Sequence, residues 1–201
     1  MKFISTLHER YVFGRRVQVL AGHLAALLPQ QARVLDVGCG DGNIDCVIKQ
    51  LRPDVMIEGI DVLVRPTTRI PVHPFDGYRI PFNDSSFDVV MFVDVLHHTD
   101  DPQILLAEAQ RVAKQAIVLK DHLREGLLAG PTLRLMDWFG NAHHGVVLPY
   151  NYWPEQRWRD SFSALGISIE RWIAHVGLYP WPASLLFDRR LHYVARLKPS
   201  H

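Results

Sequence analysis

Short apolar runs alternate with stretches of helical periodicity along this chain. Near the start, Phe13, Val17, Leu20, Leu24 and Leu27 recur at four-three-four-three spacing, one face of an amphipathic helix that Pro29 ends. "RVLDV" (33–37) then reads as a buried strand that breaks into glycines, and Asn43 to Leu51 as the helix behind that break. "VMIEGID" (55–61) is a second strand. "IPVHPFD" (70–76) is a poor third one, because Pro71 and Pro74 cannot both donate to a ladder, and such a strand belongs on a sheet edge. "SFDVVMFVDVL" (86–96) is apolar on nearly every residue and should be buried on both faces.

A helix is expected from Pro102 to Ala113, with Ile104, Leu105, Ala109 and Val112 on one face and Asp100 or Asp101 as its cap. "QAIVLKD" (115–121) is strand five. A last helix runs from Pro154 to Leu165 with Gly166 as its C′ residue. "ISIERWIAHVGL" (167–178) and "LHYVARL" (191–197) close the chain as two strands. This alternation predicts a mostly parallel sheet covered by helices. Between strand five and the last helix lies Asp121 to Trp153, rich in aromatics, with one helical-looking piece from Pro131 to Phe139. A connection that long inside a compact domain is usually a lid or a pocket wall.

Composition narrows the classes. The chain has 201 residues, 48% hydrophobic and 21% charged, which suits one globular domain with a sizeable core. A net charge of +1 without a basic stripe argues against nucleic acid as the main partner. Gln18 and His23 interrupt the apolar segment after Arg15 and Arg16, so residues 1–30 read as a packed helix and not as a signal or membrane span. Only Cys39 and Cys46 occur, no disulfide framework is implied, and a reducing cytoplasm is the default setting.

The chemistry concentrates in "VLDVGCGDG", Val34 to Gly42. A strand opening into a glycine turn serves two cofactor classes. The dinucleotide fingerprint needs a third glycine three residues after the second, and that position here is Asn43; the chain has Gly38, Gly40 and Gly42 instead. Asp36 precedes the turn, and Asp61 ends strand two, where an acid can accept from ribose hydroxyls. Asp76 ends the third strand, within reach of an adenine amino group. No Lys or Arg lies between Val34 and Val47, so acids and not a cationic phosphate clamp surround the turn.

"VLDVGCGDG", "GID", "FDGYRIPFNDSSFDVVMFVDVLHH" and "LAEAQRVAK" together resemble class I S-adenosylmethionine-dependent methyltransferases, in particular the group with the ubiquinone and menaquinone methyltransferases. The likeness covers roughly Ala32 to Asp121. It implies a Rossmann-like α/β fold of three layers, α/β/α, with seven strands in the order 3-2-1-4-5-7-6 and strand seven antiparallel. It also implies S-adenosyl-L-methionine as cofactor, S-adenosyl-L-homocysteine as product, and a small-molecule methyl acceptor as partner. Asp36 and the loop with Gly38, Cys39, Gly40 and Gly42 would hold the methionine end. Asp61 with Val62 would meet the ribose, Asp76 with Gly77 the adenine, and Val93 with Asp94 the methionine ammonium. Two departures stand out: only Val62 to Arg69 separate strands two and three, too few for a full crossover helix, and "KQA" replaces the family's frequent "KPGG" ahead of strand five.

The acceptor side is less defined. His98, His122 and His143 are candidate bases, which help if the acceptor is a hydroxyl. Adjacent His97 and His98 on a helical turn should point in different directions. Asp94, Asp121 and His122 at the strand ends offer too few oxygens for a magnesium site, so no metal is expected. Trp138, Phe139, Tyr150, Tyr152 and Trp153 could line an apolar or aromatic acceptor's pocket or pack the 121–153 segment onto the sheet. A catalytically silent fold that binds cofactor, and a methyltransferase acting on a macromolecule, remain as alternatives.

Overall fold

The computed structural model describes residues 2–141 and 150–200, with side chains described from 14 to 138 and from 150 to 200. Its elements are α1 (Lys2–Leu27), β1 (Arg33–Val37), α2 (Asn43–Leu51), β2 (Met56–Asp61), β3 (Val72–Pro74), β4 (Phe87–Val93), α3 (Pro102–Val112), β5 (Ala113–His122), α4 (Ala129–Asn141), α5 (Glu155–Ala164), β6 (Ser168–Ile173), α6 (Ser184–Phe187) and β7 (His192–Lys198). The strands form one sheet in the order β3-β2-β1-β4-β5-β7-β6. The first five are parallel, and β7 runs antiparallel to both β5 and β6. This is the seven-stranded order that the resemblance implied. The proline-bearing β3 lies on the edge, paired only to β2 through three residues.

Strand alternation splits the core in two. Ile117 and Leu119 of β5 join Leu105, Leu106, Ala109 and Val112 of α3 and Trp158 and Phe162 of α5 on one face. Ala116 and Val118 join Leu20, Leu24 and Leu27 of α1 and Ile48 of α2 on the other. Apolar residues on both faces are what the continuous runs of β4 and β5 require. Each fully buried Leu or Phe here removes enough apolar surface from water to contribute about 1.5–3 kcal/mol. The Phe13 expected on the α1 face lies outside the described side chains.

The differences from the sequence expectation have local causes. The buried face of α3 carries Leu106 instead of Ile104, which is 43% exposed and borders a cavity described below. Asp101 caps α3 by accepting from the Gln103 amide, ahead of Pro102. β5 begins at Ala113, directly on the end of α3, because "KQA" supplies no glycine turn between them. β6 stops at Ile173 and not at Leu178; beyond it Val176 and Leu178 fold under the sheet into the second core. Gly166 takes φ +71° behind α5, and a Cβ there would come within 2.9 Å of Ser200 Oγ. No helix interrupts residues 62–71 between β2 and β3.

Candidate cofactor and reaction site

β1 ends at Val37 and the chain turns through Gly38, Gly40 and Gly42, all with positive φ. At Gly38 a Cβ would sit 2.6 Å from Val95 Cγ2, so the turn lies against the end of β4 with no room for a side chain. At Gly40 a Cβ would meet nothing within 4 Å, and its outer side is open. The Gly40 amide donates to Asp61 Oδ2 and the Leu63 amide to Asp61 Oδ1, each at 2.8 Å. Asp61 thereby ties the turn to the end of β2. Gly42 opens α2 and packs on Ile70.

Two cavities share Gly38. One, of about 190 Å³, is lined by Arg16, Asp36, Cys39, Val93 and Asp94 among others. The other, of about 380 Å³, is lined by Asp61, Val62, Asp76, Gly77 and His98, with Ile104 and Leu105 from α3. Nine of the eleven residues expected around the cofactor thus border one cavity or the other; Gly40 and Gly42 border neither. Asp36 is 2% exposed, and its Oδ1 has no hydrogen-bond partner among the described residues. Burial, then the neighbouring Asp45 and Asp61 carboxylates, hold the Asp36 carboxyl well above the usual range. Asp45, fully buried, is raised to about 6, chiefly by burial. Asp76 Oδ1 accepts from the Tyr78 and Arg79 amides at 2.8 Å, which lowers its pKa and closes the turn after β3.

Past Gly38 the strand ends carry a buried polar cluster. Asp94 follows β4 in the left-handed region at φ +59°, which Asp tolerates better than most residues. Its carboxylate receives Arg16 from α1 at 3.0 Å, the fully buried Lys120 ammonium from β5, and His122 Nε2 at 3.3 Å. Burial opposes its charge, but Lys120, His122 and Arg16 hold it well below the usual carboxylate range. His97 sits in a 3₁₀ turn (Leu96–His98) with Nδ1 2.6 Å from Asp121 Oδ1 and Nε2 3.4 Å from Asp137 Oδ2. Burial disfavours its cation, yet the Asp121 and Asp137 carboxylates outweigh that and push it up to about 10. His98 falls to about 4 through burial and the neighbouring His97 charge, and His122 falls well below its ordinary value through burial and Lys120.

The histidines do not diverge as the sequence suggested. The 3₁₀ turn brings the His97 and His98 rings to 4.0 Å between centroids. His98 borders the larger cavity with its Nδ1 unpartnered, whereas His122 is 2% exposed beneath Asp94 and borders none of the cavities described here. His143 lies outside the described residues. Arg16, His97, Lys120 and Asp137 were not among the site residues expected from sequence, while Tyr152, expected only as a pocket or packing aromatic, donates its hydroxyl to Asp137. Their signals were faint but present. Lys120 interrupts an otherwise apolar strand, and Asp137 falls one turn after the buried Leu133 of α4.

The aromatics divide. Trp153 packs in the core on Trp158, and Phe139 is outside the described side chains. Trp138, Tyr150 and Tyr152 line a third cavity of about 590 Å³ with Arg124 and Arg134. Its α4 contributors are Gly130, Pro131, Arg134, Leu135 and Trp138, while Ala129, Leu133 and Asp137 on the other side of that helix are buried. This cavity lies on the exposed side of α4 and takes in Arg124, just past β5, and Tyr152, whose hydroxyl reaches Asp137.

With the glycine turn, its acids and the sheet order in hand, comparison with known proteins decides the family. A methyltransferase domain family matches residues 7–172. The chain belongs to the class I S-adenosylmethionine-dependent methyltransferases. It is 31% identical over 110 residues to 27-O-demethylrifamycin SV methyltransferase from Amycolatopsis mediterranei, a match covering 47% of this chain and 40% of that enzyme. It is 33% identical over 101 residues to a ubiquinone biosynthesis O-methyltransferase from Hahella chejuensis, covering 44% and 41%. The matches span less than half the length of these curated relatives. Among solved structures, a putative methyltransferase in complex with the Haloferax volcanii Trm112 activator superposes with a TM-score of 0.68 at 16% identity, over 92% of this chain and 91% of that one. That likeness establishes the fold alone. No helix among the described residues is long and apolar enough to cross a membrane.

Proposed function

We propose that this chain transfers a methyl group from S-adenosyl-L-methionine to a small-molecule acceptor and releases S-adenosyl-L-homocysteine. The observation that carries the reading is the pair of cavities meeting at Gly38, with the unpartnered Asp36 carboxyl oxygen in one and Asp61 and Asp76 along the other. The donor set fits the cofactor. An ammonium would give buried Asp36 the partner it lacks, with Cys39 and Val93 along the same wall, and Arg16 is available for the methionine carboxylate. Asp61 with Val62 is assigned the ribose hydroxyls and Asp76 with Gly77 the adenine, since the Asp61 oxygens each keep a lone pair beyond the amides they accept. Asp94 acts at one remove, holding Arg16 at the methionine end.

When bound, S-adenosylmethionine would supply a methyl carbon activated by its sulfonium, the acceptor bonding to that carbon as the S–CH3 bond breaks and S-adenosylhomocysteine leaves as the neutral thioether. The chain's part is to hold both reactants in near-attack geometry and to keep water out. Of the two described candidate histidines, His98 is the one that borders an open cavity; neutral and lowered to about 4, it serves a hydroxyl acceptor as a hydrogen-bond acceptor that orients it more than as a strong base. His122 positions Asp94 from below. The unpaired Cys39 and Cys46 fit a reducing cytoplasm.

The test is calorimetric titration with S-adenosylhomocysteine, followed by incubation with methyl-labelled S-adenosylmethionine and cell extract and mass spectrometry of labelled products. Absence of S-adenosylhomocysteine binding by folded protein would overturn the cofactor assignment. Binding without any transferred label would favour the silent-binder alternative, and label on protein or nucleic acid the macromolecular one.

A further inference from the structure

The side of α4 turned away from the sheet carries a pattern that methyl transfer leaves unused. The cavity of about 590 Å³ on that side takes Gly130, Pro131, Arg134, Leu135 and Trp138 from α4. At about 100° per residue these positions fill one arc of about 140°, in the order Gly130, Arg134, Trp138, Pro131, Leu135. The arc is cationic at one edge and apolar at the other. Arg124 adds to the cationic edge: its Nε lies 3.7 Å from where a Cβ on Gly130 would stand. Arg134 follows one turn further along the same face, set 5.5 Å from the centre of the Tyr150 ring on the facing wall. At the apolar edge Leu135 and Trp138 are 48% and 55% exposed. Neither guanidinium has an ion pair among the described residues. The acids close by in sequence are engaged elsewhere. Glu125 accepts from the Glu155 amide at 2.8 Å, and Asp137, the single acid of α4, faces inward to His97 and Tyr152.

We propose that this cavity binds an organic anion with a flat aromatic body, of the aryl carboxylate or aryl sulfonate class. Its acid group lies between Arg124 and Arg134, whose planar forks match such oxygens, and its rings lie on Leu135 and Trp138 opposite Tyr150. A neutral or cationic ligand would leave both arginines without a counter-charge, and a bare inorganic anion would leave the Leu135–Trp138 wall in water. The volume falls within the range of about 300–1,000 Å³ found for small-molecule sites. The site is separate from the cofactor cavities, because residues 150–152 form the partition. Tyr150 and Tyr152 line this cavity. The Asn151 amide donates to the His97 carbonyl at 3.1 Å, and its side chain donates to the Thr99 and Asp100 carbonyls at 3.1 and 3.2 Å. Thr99 and Asp100 border the larger cavity at Gly38, so the anion sits beside the reaction site and not in it.

The test uses the full chain and anilinonaphthalene sulfonate as the probe, with and without saturating S-adenosylhomocysteine. Probe fluorescence gives the affinity and equilibrium dialysis the stoichiometry. Saturable binding of one probe per chain is expected, unchanged by S-adenosylhomocysteine. Phenylnaphthylamine, the same rings without the sulfonate, is the neutral comparison. Exposed guanidiniums make modest ion pairs, so Arg124→Gln and Arg134→Gln combined should weaken the sulfonate about tenfold and the neutral compound less than about twofold. Trp138→Ala should weaken both. Urea unfolding reports whether each variant is folded, and S-adenosylhomocysteine binding is read separately, so this site and the methyl-transfer reading can fail independently. Equal losses for the two compounds in the arginine variant, or displacement of the probe by S-adenosylhomocysteine, would overturn the proposal. So would a single-stranded oligonucleotide that displaces the probe more effectively than naphthoate does.

Discussion

Asp45 offers a quantitative check on the electrostatics behind the glycine turn. It is fully buried on α2 facing Asp36, and its carboxyl is raised to about 6, chiefly by burial. A carboxyl whose folded pKa lies above its unfolded value of 3.8 stabilises the fold only while protonated. That stability is fully present below about pH 3.8 and is lost as pH rises through 6. A shift of about two units corresponds to about 3 kcal/mol. Asp45→Asn keeps the shape and removes the charge, so it should match the parent near pH 4 and exceed it by about 2–3 kcal/mol at pH 7.5. Urea unfolding of both proteins without ligand at the two pH values gives the difference, in which background acid denaturation cancels. A variant no more stable than the parent at pH 7.5, or equally favoured at both pH values, would refute the reasoning. S-adenosylhomocysteine should bind the variant more weakly despite its greater stability, because the carboxylate that burdens the empty fold helps to compensate an ammonium.

Asp61→Ala removes both anchors of the Gly40–Leu63 turn and the proposed ribose acceptor; at about 1.5–3 kcal/mol for each charged hydrogen bond, S-adenosylhomocysteine affinity should fall at least about 100-fold by calorimetry. Arg16→Gln should weaken S-adenosylhomocysteine but leave 5′-methylthioadenosine, which lacks the amino-acid end, unchanged; equal losses for both would remove Arg16 from the methionine carboxylate. Asp101→Ala deletes the α3 cap and should cost about 1 kcal/mol in urea unfolding with ligand binding intact.

The fold was legible because its signals are local. Continuous apolar runs marked β4 and β5, the prolines of residues 70–76 marked the edge, and Asp101-Pro102 marked a helix start that the structure uses. Where the reading slipped, tertiary contacts decided. Ile104 and Leu106 lie 200° apart on a helical wheel, and only the position of the cavity settles which one faces it. β6 ends at Ile173 because the chain beyond it supplies Val176 and Leu178 to the core under the sheet. The short α6 has four residues, too few to carry a periodic pattern.

The site divides along the same line. The cofactor side is assembled from the ends of β1, β2 and β4 and the turns after them, each an uninterrupted motif. The polar cluster draws on residues 16, 94, 97, 120 to 122, 137 and 152, and no spacing links a lysine inside a strand to an aspartate on a helix 17 residues later. What unites them is charge in a dry place. Asp137, buried on α4 one turn after Leu133, keeps its charge against the cost of burial because His97 and the Tyr152 hydroxyl hold it below the usual carboxylate range. The seating of α4 and the charge at the strand ends therefore rest on the same contacts, His97 and Tyr152 against Asp137.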